Sequence, residues 1–80
     1  MKENLNCNIQ IINDAIAMGS DVCSIFQNCI NTIKKGGKAI IYDEYKAPVN
    51  YRKDLIFDNV EDFVNWVNQH YPQLGCSFNI

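Results

Sequence analysis

Four cysteines, one histidine and a scatter of carboxylates are the residues of this 80-residue chain whose types could do chemistry. Cys7, Cys23, Cys29 and Cys76 contain no CxxC pair. Zinc fingers and redox dithiols draw on such pairs, because two ligands from one turn preorganise the site. The four align with apolar neighbours and read as reduced, buried thiols packing as small hydrophobes. Cys7 and Cys76 share parity with the apolar residues of segments expected to lie side by side, which would set them face to face in the core. His70 is the only histidine. A Cys–His nucleophile needs a thiol within hydrogen-bond reach, and core thiols are inert. His70 reads instead as a helix-end group favoured by the dipole. Glu61 and Asp62 sit where a positive helix start favours acids. Asp43, Glu44 and Asp58 are scattered. Gly36-Gly37 follows a helix, whereas phosphate cradles open one. No catalytic residue, metal site or cofactor is expected, and the chain reads as a non-enzyme.

The residues that suggest contact rather than chemistry are aromatic. Trp66 lies roughly 120° from the apolar stripe of its helix, counting about 100° per residue. It is a neighbour of Phe63 and His70 by i,i+3 and i,i+4 spacing. Off the stripe, it either covers a sheet edge or meets a partner. Tyr42, Tyr45, Tyr51 and Arg52 flank one loop, a composition typical of binding hot spots. The expected binding residues are therefore Trp66, Tyr42, Tyr45, Tyr51, Arg52 and His70.

The elements that must position these groups follow from periodicity. Leu5, Cys7, Ile9 and Ile11 alternate with Asn6, Asn8 and Gln10, the pattern of a strand with one buried face. Asn13 or Asp14 could cap a helix carrying Ala15, Met18, Val22, Phe26, Cys29, Ile30 and Ile33 on one stripe. Gly19-Ser20 offers a break in it. Lys34-Lys35 and Gly36 or Gly37 end it. Residues 38–45 and 51–58 read as strands joined across Pro48, which cannot donate to a ladder. Asp58-Asn59-Val60-Glu61 has capping-box spacing before a helix with Val60, Phe63, Val64, Val67 and Tyr71 on one face. Pro72 stops that helix, Gly75 turns the chain, and Cys76, Phe78 and Ile80 alternate as a last strand.

That order is β-α-β-β-α-β. It predicts one α+β domain over residues 1–80, a two-layer sandwich of ferredoxin-like order with residues 5–11 antiparallel to 76–80. The alternative is two N-terminal helices on a small β-β-α-β unit. The expected core is Val22, Phe26, Ile33, Leu55, Phe57, Phe63, Val64 and Val67. The sheet face away from the helices should carry Asn6, Asn8, Gln10 and Ile12 with Tyr42, Arg52 and Ile56.

Apolar residues make up 48% of the chain and the net charge is −2, so a dominant phosphate-binding role is not indicated. Eleven Asn and eleven Ile suit A/T-rich coding of the kind found in phage and mobile elements. No apolar run suggests a signal peptide or a membrane span, so a cytoplasmic location is expected. The expected function is a small protein-binding module, an inhibitor or regulator that occludes another protein's surface, with a homodimer as a further option. The rival is a single-stranded nucleic-acid binder. An aromatic on an open sheet resembles the layout of RNA-recognition modules, although their aromatic-rich signature run is absent.

Overall fold

The computed structural model describes residues 5–12, 15–16, 21–45 and 51–80. It is an α+β fold in which helices lie on one face of a small mixed sheet. Strand β1 spans Asn6–Ile12, and the two-residue strand β2 spans Ala15–Ile16. Helix α1 spans Val22–Lys34, followed by β3 (Lys38–Tyr45), β4 (Tyr51–Phe57) and helix α2 (Val60–His70). A 3-10 turn at Pro72–Leu74 leads into an extended tail. The sheet order is β2-β1-β3-β4, three full strands with β2 as a short edge.

β1 forms as its alternation predicts: Ile9 and Ile11 are buried while Asn6, Asn8 and Gln10 are exposed. This excludes the alternative with a helix at the N-terminal end. The chain then doubles back, pairing Ile11 with Ile16 and Ile12 with Ala15. Ala15 therefore belongs to a strand and not to the first helical stripe. Asn13, Asp14, Met18 and the Gly19-Ser20 break lie outside the described residues. α1 starts at Val22, where the Asp21 carboxylate accepts from the Ser24 backbone N–H at 3.1 Å and from its hydroxyl at 2.8 Å.

The end of α1 sets up the parallel pairing. Gly36 adopts φ +92°, its N–H donates to the Ile33 carbonyl, and the Gly37 N–H donates to that of Thr32, a Schellman arrangement. A Cβ on Gly37 would collide with the Leu5 carbonyl oxygen and lie 2.7 Å from Thr32 Cγ2. The bare backbone lets the Lys38 N–H reach the Leu5 carbonyl at 2.9 Å. That bond starts the parallel ladder running from Asn6–Lys38 to Ile12–Glu44. β4 closes the sheet antiparallel, from Ala39–Phe57 to Tyr45–Tyr51.

The expected ferredoxin-like order is not what forms. β3 occupies one edge of β1 and β2 the other, so no edge of β1 remains for residues 76–80. That tail is not a strand and is held to α1 instead. Asn79 N–H donates to Gln27 Oε1 at 2.8 Å, and Gln27 Nε2 donates to the Asn79 carbonyl at 3.0 Å. Its alternation holds in part: Cys76 and Phe78 are half-buried while Ser77 and Asn79 are exposed, but Ile80 is exposed as well. The buried side is a helix surface rather than a sheet.

The core joins Ile9, Ile11, Ala39 and Ile41 of the sheet to Phe26, Cys29, Ile30 and Ile33 of α1 and Phe63, Trp66 and Val67 of α2. Phe26 is its centre, with ring centroids 5.9 Å from Phe63 and Tyr71, 6.4 Å from Phe78 and 6.5 Å from Trp66. Of the expected core, Phe26, Ile33, Phe63 and Val67 are buried, and Val22, Leu55, Phe57 and Val64 are half-buried around them. α2 begins one residue later than its capping box suggested. Asn59 is the cap, accepting from the Asp62 N–H at 3.2 Å.

The cysteines are not reduced thiols, and Cys7 does not meet Cys76. Cys7 is bonded to Cys29 and Cys23 to Cys76, with Cα separations of 5.2 and 5.6 Å. The reason is topological. The inward side of β1 faces α1 rather than a neighbouring strand's cysteine, and the tail lies along α1 at Cys23.

Candidate interaction surface

Residues of opposite parity from the core point away from both helices and form the second face of the sheet. β1 contributes Asn6, Asn8, Gln10 and Ile12. β3 contributes Lys38, Ile40, Tyr42 and Glu44. β4 contributes Arg52, Asp54 and Ile56. The register sets them in rows: Asn8–Ile40–Ile56, then Gln10–Tyr42–Asp54, then Ile12–Glu44–Arg52. Both helices pack on the other face, against residues such as Ile9, Ile41 and Phe57. Ile56 is 63% exposed and Ile12 38% exposed.

At the centre of this face the Arg52 guanidinium carbon stands 4.5 Å from the Tyr42 ring centroid. Arg52 Nε also donates to Asp54 Oδ1 at 3.0 Å. Both members of that ion pair are about half exposed, so it orients the guanidinium more than it stabilises the fold. The result is a flat amphipathic platform with an aromatic–cation pair beside exposed isoleucine. Its cations, Lys38 and Arg52, are matched by its anions, Glu44 and Asp54. Asn6, Asn8, Gln10, Ile12, Tyr42, Arg52 and Ile56 lie on this face as the sequence patterning predicts, and Lys38, Ile40, Glu44 and Asp54 join them.

The other expected binding residues lie elsewhere. Trp66 does not stand off the core: it is 9% exposed. α2 sits in the corner between β4 and α1, so its buried sector is wider than one stripe. Trp66 covers Phe57 at the edge strand, with centroids 5.9 Å apart, and meets Tyr71 at 5.7 Å. His70 stacks on Trp66 at 5.0 Å and lies on the surface. Its Nδ1 is 3.0 Å from the Trp66 carbonyl oxygen, which can only accept, so Nδ1 carries the proton in that bond. With every cysteine in a disulfide, His70 has no thiol to activate. Tyr45 and Tyr51 are register partners at the far end of β3 and β4; the positions of their side chains lie outside the described residues.

Two further features were not singled out by the sequence. Asp43 is on the core side of β3, 8% exposed, and its Oδ1 has no hydrogen-bond partner among the described residues. It stands between Ile11 and Lys53 in register. A groove of about 430 Å³ runs between the start of α2 and the tail, lined by Asn59, Val60, Glu61, Val64, Asn65 and Ile80. Asp21 is the one described group whose ionisation is clearly shifted, lowered by hydrogen bonds from the Ser24 hydroxyl and backbone N–H. Among the described residues no group of three or more His, Cys, Asp or Glu is placed to hold a metal ion, and no helix is long and apolar enough to cross a membrane.

Comparison with known proteins finds no matching family, no matching curated relative and no matching solved structure.

Proposed function

We propose that this chain is a protein-binding module without catalytic chemistry of its own, acting as an inhibitor or regulator by covering a surface of its partner. The binding surface is the open sheet face. The observation that carries this reading is the exposed Ile56 beside the Tyr42–Arg52 pair, on a face that neither helix covers. Tyrosine and arginine give large contact area and strong directional bonds, and the strand backbone holds them at little entropic cost. Balanced charge on the face and a net charge of −2 favour a protein surface over a phosphate backbone.

The disulfides bear on where this happens. Paired cysteines persist in oxidising compartments, so they support a periplasmic or extracellular setting rather than the cytoplasm.

The test is capture of a partner from the native host by crosslinking, with wild type set against Tyr42→Ala/Ile56→Asp. The double variant should keep the wild-type circular dichroism. Its partner affinity should fall roughly thirtyfold or more, the effect of losing about 2 kcal/mol at a hot spot. A folded variant that captures the same partner as well as wild type refutes the assignment. Single-stranded nucleic acid is the second reading, favoured by Tyr42 on an open sheet. It requires salt-sensitive oligonucleotide binding that Tyr42→Ala abolishes.

A further inference from the structure

The charges on the open face are arranged to match a copy of themselves. We propose that a second copy of this chain packs on the face, sheet against sheet, with the two β3 strands antiparallel about a twofold axis. This rests on the reading of that face as the binding surface. Along the outward side of β3 run Lys38, Ile40, Tyr42 and Glu44: a cation, two apolar groups and an anion. A twofold axis across the strands, passing between Ile40 and Tyr42, reverses that order in the second copy. Lys38 then lies over Glu44 of the second copy and Ile40 over its Tyr42, and symmetry repeats both contacts. On β1 the same operation sets Asn8 over Gln10 of the second copy, two amides that each donate and accept. On β4, Arg52 and Asp54 are already paired within one copy at 3.0 Å. Two apolar groups meet polar ones: Ile12 lies over Asn6 of the second copy and Ile56 over its Asp54.

The other face-to-face twofold has its axis along the strands. It would set Lys38 over Lys38 and Glu44 over Glu44, and like charges brought together suppress association. The charge pattern thus selects one arrangement. With strands about 4.8 Å apart and a rise of about 3.3 Å per residue, the three-stranded face covers roughly 300 Å² per copy. That is below the usual size of a stable interface, so the dimer belongs to the weak, concentration-dependent class.

Sedimentation equilibrium on the disulfide-bonded protein tests this, up to about 500 µM to reach weak association. Wild type should approach twice 9.2 kDa with rising concentration. Lys38→Glu and Glu44→Lys should each weaken the dimer about tenfold or more by facing like charges. The exchange Lys38→Glu/Glu44→Lys should restore it to within about threefold of wild type, because the opposed pair is rebuilt. Circular dichroism checks each fold; if one single variant fails to fold, the other and the exchange still decide. A wild type that stays monomeric overturns the proposal, as does a dimer that the single variants leave intact or the exchange fails to recover. A monomeric wild type whose capture of another protein is lost in Tyr42→Ala/Ile56→Asp overturns the second copy alone. A dimer untouched by Tyr42→Ala/Ile56→Asp overturns the open face as well.

Discussion

Replacing Cys23 and Cys76 together with serine should destabilise the fold by about 4 kcal/mol. The bond spans 53 residues, from the first turn of α1 to the tail. Closing a loop of that length in the unfolded chain removes about 14 cal/mol/K of entropy, which is about 4 kcal/mol at 25 °C. A domain of this size has roughly 4–12 kcal/mol in total, so the loss is a third or more of its stability. The tail keeps its Gln27–Asn79 hydrogen bonds and the Phe78–Phe26 contact in the variant, so the native fold should persist while the unfolded chain gains freedom. The assay is guanidinium unfolding followed by Trp66 fluorescence. A shift in midpoint of about 0.7–2 M is expected at the slopes usual for small domains in guanidinium. Intact mass must first show the wild type lighter than its fully reduced form by the hydrogens of two disulfides, and peptide mapping must give Cys7–Cys29 and Cys23–Cys76. Mapping of a Cys7–Cys76 bond, or an unchanged midpoint in the double variant, refutes the reasoning. The second bond spans 22 residues, for which the same argument gives about 3 kcal/mol.

Trp66→Ala should unfold the protein or cost about 3–5 kcal/mol, as core aromatics do; a folded variant with an unchanged thermal midpoint would place Trp66 outside the core. Asp43→Val should stabilise by about 1–3 kcal/mol, since it removes a buried carboxylate oxygen that has no partner among the described residues, and valine suits a strand; denaturant unfolding reads the sign, and a clear loss would mean that the carboxylate has a favourable role. Asp21→Ala should lower the thermal midpoint at neutral pH. The folded pKa of Asp21 is lowered by its Ser24 hydrogen bonds. The cap's contribution is therefore complete above the ordinary carboxylate pKa and fades as pH falls through the lowered folded value. Melting curves of the two proteins should converge in that acid range; a constant difference would exclude the ionised cap as the cause.

What the sequence by itself determined is local. Alternation at residues 5–11 specifies a strand because a period of two gives it one apolar face. Gly36 ends α1 because glycine takes the left-handed turn at little cost, and Pro72 ends α2 because proline disfavours helical backbone at the residue before it. The open face was legible for the same reason: once the strands are known, parity decides which side each residue takes. Tertiary structure decided everything that depends on which edge is free. The hairpin to Ala15–Ile16 and the direct pairing of β1 with β3 fill both edges of β1, and the tail is left to dock on α1. That placement brings Cys76 to Cys23, leaves Cys7 opposite Cys29, and opens the corner into which Trp66 packs. No pattern within a single element encodes these outcomes, because each is a competition between distant segments for the same surface.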